Sequence, residues 1–108
     1  EVLAIGSWDQ TLSFYLLSGE QHIKDRKLGY NPCSIVYLDG GRYIAIGGSD
    51  CKATLCTKEG MRLSTICESK GWVWGVAGRS GHDEVAIGGD GGSIEVHKMR
   101  FQNIAAIY

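Results

Sequence analysis

The chain has 108 residues, of which 16 are glycine and one is proline, and its formal net charge is −1. Its apolar share of 44% excludes a disordered chain, and the single proline excludes collagen-like and proline-rich sequences. The balanced charge argues against nucleic acid as a partner, and the apolar runs are too short for insertion into a membrane.

The tripeptide Ala-Ile-Gly recurs along the chain at a constant spacing. It occupies residues 4–6, 45–47 and 86–88, so the offset is 41 residues both times. Flanking positions repeat in the same register, as Gly19 and Gly60 do. Recurrence at a fixed period of this length indicates a repeat architecture.

Within one repeat, short β-forming runs alternate with turn residues rich in glycine and aspartate. Strands are predicted at residues 33–38, 43–48, 52–57 and 61–67. The second run is apolar throughout, as expected for a strand buried on both faces. In the third run, Ala53 and Leu55 are expected to point inward, and Lys52 and Thr54 outward.

These patterns predict an all-β fold, a degenerate WD40-type β-propeller made of four-stranded antiparallel blades. Dividing 108 residues by the period gives about 2.6 blades, too few for a closed ring. We expect residues 1–29 to form strands of one blade, residues 30–71 a complete blade, and residues 72–108 the next, which ends in a fourth strand near Ile107. WD repeats usually carry a Trp-Asp dipeptide at the end of the third strand, and no repeat of this chain has one there. The dipeptide Trp8-Asp9 does occur, but it lies in the turn before a third strand.

No motif for catalysis, for a metal or for another cofactor is present in the sequence. The four cysteines (Cys33, Cys51, Cys56 and Cys67) form no C-x-x-C pair, and the three histidines (His22, His82 and His97) are isolated. We therefore expect reduced thiols, strand-face or loop histidines, no small-molecule substrate and no enzymatic activity. Residues 88–92 contain four glycines, but we interpret them as a tight turn because Asp90 would repel phosphate.

Aspartates recur at one turn of each repeat, at Asp9, Asp50 and Asp90. One interpretation makes them calcium ligands or active-site carboxylates of a hydrolase. Calcium requires several oxygen atoms that converge on one point, whereas aspartate also favours turns through its own backbone contacts. We therefore predict a structural role.

Aromatic residues are the candidates for a binding surface. Trp8, Tyr30 and Trp72 lie in segments that share one rim of a propeller, and exposed aromatics are enriched at interface hot spots. We predict that these three residues form a protein-interaction patch; the alternative is that they pack between blades. Strand alternation places Trp72 and Trp74 on the same face, and we expect at least one of them in the core.

A series of short motifs resembles the family of the intraflagellar transport protein 122 homologues. The motifs run in order through residues 8–19, 24–26, 31–33, 47–50, 57–63, 72–74 and 91–94. The resemblance implies the N-terminal propeller part of a WD-repeat subunit of intraflagellar transport complex A. It further implies a non-catalytic scaffold for retrograde transport and cargo entry, with other protein subunits of that complex as partners, and a location in the cytoplasm, the cilium or flagellum and its basal body. The alternatives are a WD-repeat peptide-binding module of another complex and a β-propeller hydrolase.

Overall fold

The computed structural model describes residues 1–79, 81–101 and 104 and contains strands joined by short turns. The strands are β1 (Val2–Ser7), β2 (Thr11–Leu16), β3 (Gln21–Lys27), β4 (Pro32–Leu38), β5 (Tyr43–Gly48), β6 (Lys52–Thr57), β7 (Arg62–Glu68), β8 (Val73–Gly78), β9 (Glu84–Gly89) and β10 (Ile94–Lys98). A 3-10 turn at Asp39–Gly41 joins β4 to β5. In these parts of the chain, no helix is long and apolar enough to cross a membrane.

Three antiparallel sheets follow one another along the chain. The first sheet has the order β1-β2-β3, the second β4-β5-β6-β7, and the third β8-β9-β10. The recurring Ala-Ile-Gly tripeptide lies at the same place in β1, β5 and β9, the strands that begin a hairpin with β2, β6 and β10. The predicted all-β fold and partial β-propeller are therefore confirmed.

The second sheet is buried on both faces because a neighbouring sheet packs on each. Towards the first sheet it presents Ile44, Ile46 and Cys56, which join Leu12 and Phe14 in one apolar cluster. Towards the third sheet it presents Ala45, Ala53 and Leu55, which join a second cluster with residues of β8 and β9. This face-to-face stacking gives each sheet the cover that it could not provide alone.

The prediction that β6 alternates between buried and exposed residues is wrong. Thr54 is only 3% exposed and Cys56 only 2%, so four successive residues of β6 are buried. The polar Thr54 is accommodated because its hydroxyl forms a hydrogen bond with Tyr30. A central strand between two packed faces therefore has no solvent-facing side.

The recurring glycine permits the close approach of neighbouring sheets. A Cβ atom at Gly47 would lie 2.6 Å from Cγ1 of Val73 in β8, and one at Gly6 would lie 2.7 Å from Cδ1 of Ile35 in β4. At Gly88, against which the described part of the chain packs no further sheet, the nearest described atom to such a Cβ would be Cγ1 of Ile94 at 3.8 Å. The same position thus serves as the contact point between one sheet and the first strand of the next.

After β10 the chain returns to the core instead of continuing as a strand. Met99 and Phe101 are buried, and the Phe101 ring stacks on Tyr43 with 5.1 Å between centroids. The backbone N–H of Ile104 donates to the carbonyl oxygen of Arg100 over 3.1 Å, which is a helical pattern. Ile107, the predicted end of a fourth strand, lies outside the described residues.

Candidate protein-interaction surface

The turns that follow β1, β5 and β9 have one shared geometry. The backbone N–H groups of Gln10, Cys51 and Gly92 donate to the carbonyl oxygens of Ser7, Gly48 and Gly89 over 3.0, 3.3 and 3.2 Å. The φ angles of the three donor residues are 67°, 65° and 77°. The turns start 41 residues apart in each case. The three repeats therefore have the same type of turn, in which the fourth residue adopts the left-handed conformation.

The side chains of Asp9 and Asp50 accept hydrogen bonds from residues of the same turn or next to it. The Asp9 carboxylate accepts a hydrogen bond from the Ser7 hydroxyl, and hydrogen bonds from the side chains of Ser7 and Thr11 lower the pKa of Asp9. Asp50 accepts from the backbone N–H of Lys52 over 3.2 Å. Among the described residues, the three aspartates do not form a cluster of metal-ligating atoms.

The aspartate in the third turn is displaced by one residue relative to the other two. Asp9 and Asp50 are the third residues of their turns, whereas Asp90 is the second. From that position Asp90 accepts a hydrogen bond from Nε1 of Trp74 over 2.8 Å. The turns themselves keep the 41-residue period, and only the aspartate shifts within its turn.

Three tryptophans from two different sheets meet at this rim, and we call them the tryptophan cluster. The ring centroids of Trp8 and Trp72 lie 5.8 Å apart in an edge-to-face arrangement, and those of Trp72 and Trp74 lie 5.3 Å apart. Trp8 and Trp74 are separated by 6.3 Å. These separations lie in the range in which aromatic pairs attract each other beyond simple burial.

The tryptophan cluster is held in place by hydrogen bonds and remains accessible to solvent. Trp8 Nε1 donates to the carbonyl oxygen of Pro32 over 3.0 Å, which ties the β1–β2 turn to β4. Trp8 is 58% exposed and Trp74 is 47% exposed, while Trp72 is half-buried. Both exposed indoles have their N–H group satisfied, so the surfaces that they offer are ring faces and edges.

Strand alternation correctly places Trp72 and Trp74 on one face, but the expectation that one of them is in the core is wrong. Neither ring is buried, and Val73 between them is completely buried against the second sheet. Trp74, which the sequence did not indicate as a surface residue, is therefore part of the cluster. Simple alternation could not have identified it, because Val73 and Val76 are three residues apart and are both buried only through an irregularity in the β8–β9 pairing between Val73 and Gly75.

Tyr30 lies apart from the tryptophans in its contacts. It packs against the core between the first and second sheets, and its burial raises the pKa of the phenol to about 12. Among the described residues, no ring contact joins Tyr30 to a tryptophan. Of the three predicted patch residues, the structure thus brings together Trp8 and Trp72, while Tyr30 supports the interior.

Carboxylates lie at the rim beside the tryptophan cluster, and the Lys27 ammonium lies near one of them, Asp9. Asp9 is adjacent to Trp8 in the chain, and Asp90 is bonded to Trp74. Burial raises the pKa of Cys33, and the carboxylates of Asp90 and Asp50 raise it further, which places both charges near that thiol. The surface therefore combines exposed indole rings with carboxylates.

Stacked antiparallel sheets built from a 41-residue repeat, with shared turns at one rim, define the chain as part of a WD-type β-propeller. No protein-family model matches the chain. Over all 108 residues it is 41% identical to the intraflagellar transport protein 122 homolog of Mus musculus, 40% to that of Homo sapiens and 37% to that of Danio rerio. The chain is thus a relative of the intraflagellar transport protein 122 homologs, as its motifs predicted, and it spans 9% of the length of each.

Proposed function

We propose that the chain is a non-catalytic interaction scaffold in an intraflagellar transport complex of the cilium and its basal body. The names of its relatives support a role in intraflagellar transport. The finer assignment is to complex A, with retrograde transport and cargo entry as its tasks and other subunits as its partners. The blades of this scaffold are residues 1–29, 30–71 and 72–108.

The tryptophan cluster is the observation that carries this proposal. Large indole surfaces that remain exposed in a folded chain are typical of protein-binding sites, because covering them removes much apolar area from water. Hydrogen bonds to Pro32 and Asp90 hold the rings of Trp8 and Trp74 in place. Binding of a partner therefore costs little side-chain conformational entropy at these residues. Tyr30 supports this surface indirectly, because it packs in the core between the first and second sheets.

The carboxylates at this rim favour a partner segment that carries arginine or lysine. A guanidinium group over an indole face gains a cation–π interaction, and neighbouring carboxylates strengthen its attraction. Asp9 and Asp90 lie beside the exposed rings of Trp8 and Trp74 and would supply those charges. Binding should therefore weaken with increasing salt.

Alanine substitution of the cluster in the full-length protein tests this function. Trp8→Ala and Trp74→Ala are expected to reduce co-purification with partner subunits, by about 30-fold in affinity for a residue at a hot spot. Met61→Ala is the matched control, because Met61 is 55% exposed in a turn of the second sheet. Unchanged co-purification of both tryptophan variants, with an unchanged circular dichroism spectrum, would remove the surface from the proposal.

A hydrolase is the second candidate, and its carboxylates would be Asp9, Asp50 and Asp90. The turn contacts of Asp9 and Asp50 support the structural role instead. Asp50→Asn separates the two functions, since a hydrolase would lose any measured glycosidase activity and a scaffold would keep its partners. A generic peptide-binding WD module would keep the effect of the tryptophan variants but bind no intraflagellar transport subunit.

A further inference from the structure

Three side chains with different metal-ligating atoms converge between the second and third sheets. They are Cys67 in β7 and Glu95 and His97 in β10, and the thiol, carboxylate and imidazole atoms all lie within 4.8 Å of one another. Cys67 and His97 are half-buried, and Glu95 is exposed. This group is separate from the tryptophan cluster and plays no part in the proposed function.

The strand geometry explains why these side chains meet. Glu95 and His97 are two residues apart in β10, so they project from the same face of that strand. Cys67 pairs with Ala53 in the second sheet, and both pack on the core that faces the third sheet. The group is therefore built from two adjacent sheets.

We propose that Cys67, Glu95 and His97 bind Zn²⁺. Thiolate, imidazole and carboxylate are the ligand types of protein zinc sites, and a thiolate disfavours calcium and magnesium. One thiolate and one carboxylate with a neutral imidazole would balance the charge of the ion. The thiol proton of Cys67 would pass to solvent on binding, and water would complete the tetrahedron.

The distance between the imidazole and the carboxylate, which form a hydrogen bond in this structure, is close to that of a tetrahedral zinc site. Nε2 of His97 and Oε1 of Glu95 lie 3.3 Å apart. Zinc–nitrogen and zinc–oxygen bonds of about 2.1 Å at a tetrahedral angle give a separation of about 3.4 Å. The sulfur must approach by about 1 Å at most, which a small side-chain rotation supplies. The two residues of β10 are thus already spaced as ligands.

Cobalt substitution in the full-length protein tests this site. Adding Co²⁺ is expected to produce a near-ultraviolet thiolate-to-metal band that saturates at one equivalent for this site and is displaced by Zn²⁺. Cys67→Ser should abolish that band, whereas Cys51→Ser, a half-buried thiol in a turn, should retain it. The difference spectrum between the protein and its Cys67→Ser variant excludes signals from other thiols.

A second variant keeps the test decisive if Cys67→Ser does not fold. His97→Gln, in the edge strand β10, should weaken Co²⁺ binding by at least 10-fold, because loss of even an outer-shell partner commonly costs that much. Absence of the thiolate band, or a band equally strong in Cys67→Ser, would overturn the proposal. So would an unchanged Co²⁺ affinity in His97→Gln.

Discussion

Replacing Gly47 with alanine tests whether the recurring glycine sets the spacing between sheets. A Cβ atom at this position would lie 2.6 Å from Cγ1 of Val73 and 2.9 Å from Cγ2 of Val76. It would also lie 3.2 Å from the carbonyl oxygen of Val73. Both valines are buried in the core, so β8 must move to make room.

The cost of this substitution follows from two opposing terms. Overpacking a core by one methyl group destabilises by about 1–3 kcal/mol. Alanine restricts the unfolded chain and returns about 0.4–1 kcal/mol. We therefore expect Gly47→Ala to lower the free energy of unfolding by about 1–2 kcal/mol, and the melting temperature by about 4–8 °C for each kcal/mol.

Gly88→Ala is the matched control, because it changes the equivalent residue of the next repeat. Its new Cβ would find its nearest described atom, Cγ1 of Ile94, at 3.8 Å. We expect no loss of stability there. Urea unfolding followed by tryptophan fluorescence at low protein concentration measures both variants. Equal urea midpoints for Gly47→Ala and Gly88→Ala would refute the close-approach role of this glycine.

Three further predictions concern the turns, the buried ionisable groups and the open faces. Cys51→Gly should raise the free energy of unfolding by about 1 kcal/mol, because a side chain at φ 65° is strained. Gly92→Ala, at φ 77°, should lower it by a similar amount. Calorimetry in which Cys51→Gly is less stable than the unsubstituted protein would contradict this. Burial raises the pKa of Cys56 from 9.0 to about 11 and that of Tyr30 from 10.0 to about 12. The unfolded chain ionises first, so stability should fall as the pH rises from about 9 to 12, by up to about 3 kcal/mol for Cys56 and by less for the more exposed Tyr30. Tyr30→Phe should remove the part above about pH 10, and an identical alkaline profile for that variant would exclude the mechanism. Expressed alone, the 108-residue chain should self-associate, because Ile94 in the edge strand β10 is 81% exposed; a single monomeric peak in gel filtration with a cooperative melt would show otherwise.

Much of the fold could be predicted from local signals. The strands at residues 43–48 and 52–57 match β5 and β6 residue for residue, because glycine and aspartate turns define both ends. The burial of Thr54 could not be predicted, since its partner Tyr30 lies in the loop between β3 and β4 and its environment depends on how two sheets stack. Local patterns specify strands and turns, while the covering of a face is a property of neighbouring repeats.

The interaction surface was predictable only in part for a related reason. The shared rim of Trp8 and Trp72 follows from the propeller architecture, because the turn between β1 and β2 and the loop that leads into β8 open on the same rim. Alternation shows that Trp72 and Trp74 share a face, but it does not show which face a neighbouring sheet covers. Small apolar Val73 fills the narrow space against Gly47, where an indole would not fit.

Both candidate sites lie where two sheets meet, and the repeat explains this placement. The second sheet buries both faces, and the first and third sheets each bury the face that packs on it, so accessible side chains of different sheets come together at the turns and along the edges of these contacts. Cys67 and His97 are 30 residues apart in the chain, and Trp8 and Trp72 are 64 apart. A motif search within one repeat cannot detect such pairs, because neither repeat contains a complete set of ligands or aromatic partners. A substitution such as Gly47→Ala that shifts one sheet against another should therefore disturb a site that it does not touch, whereas Gly88→Ala should leave both sites intact.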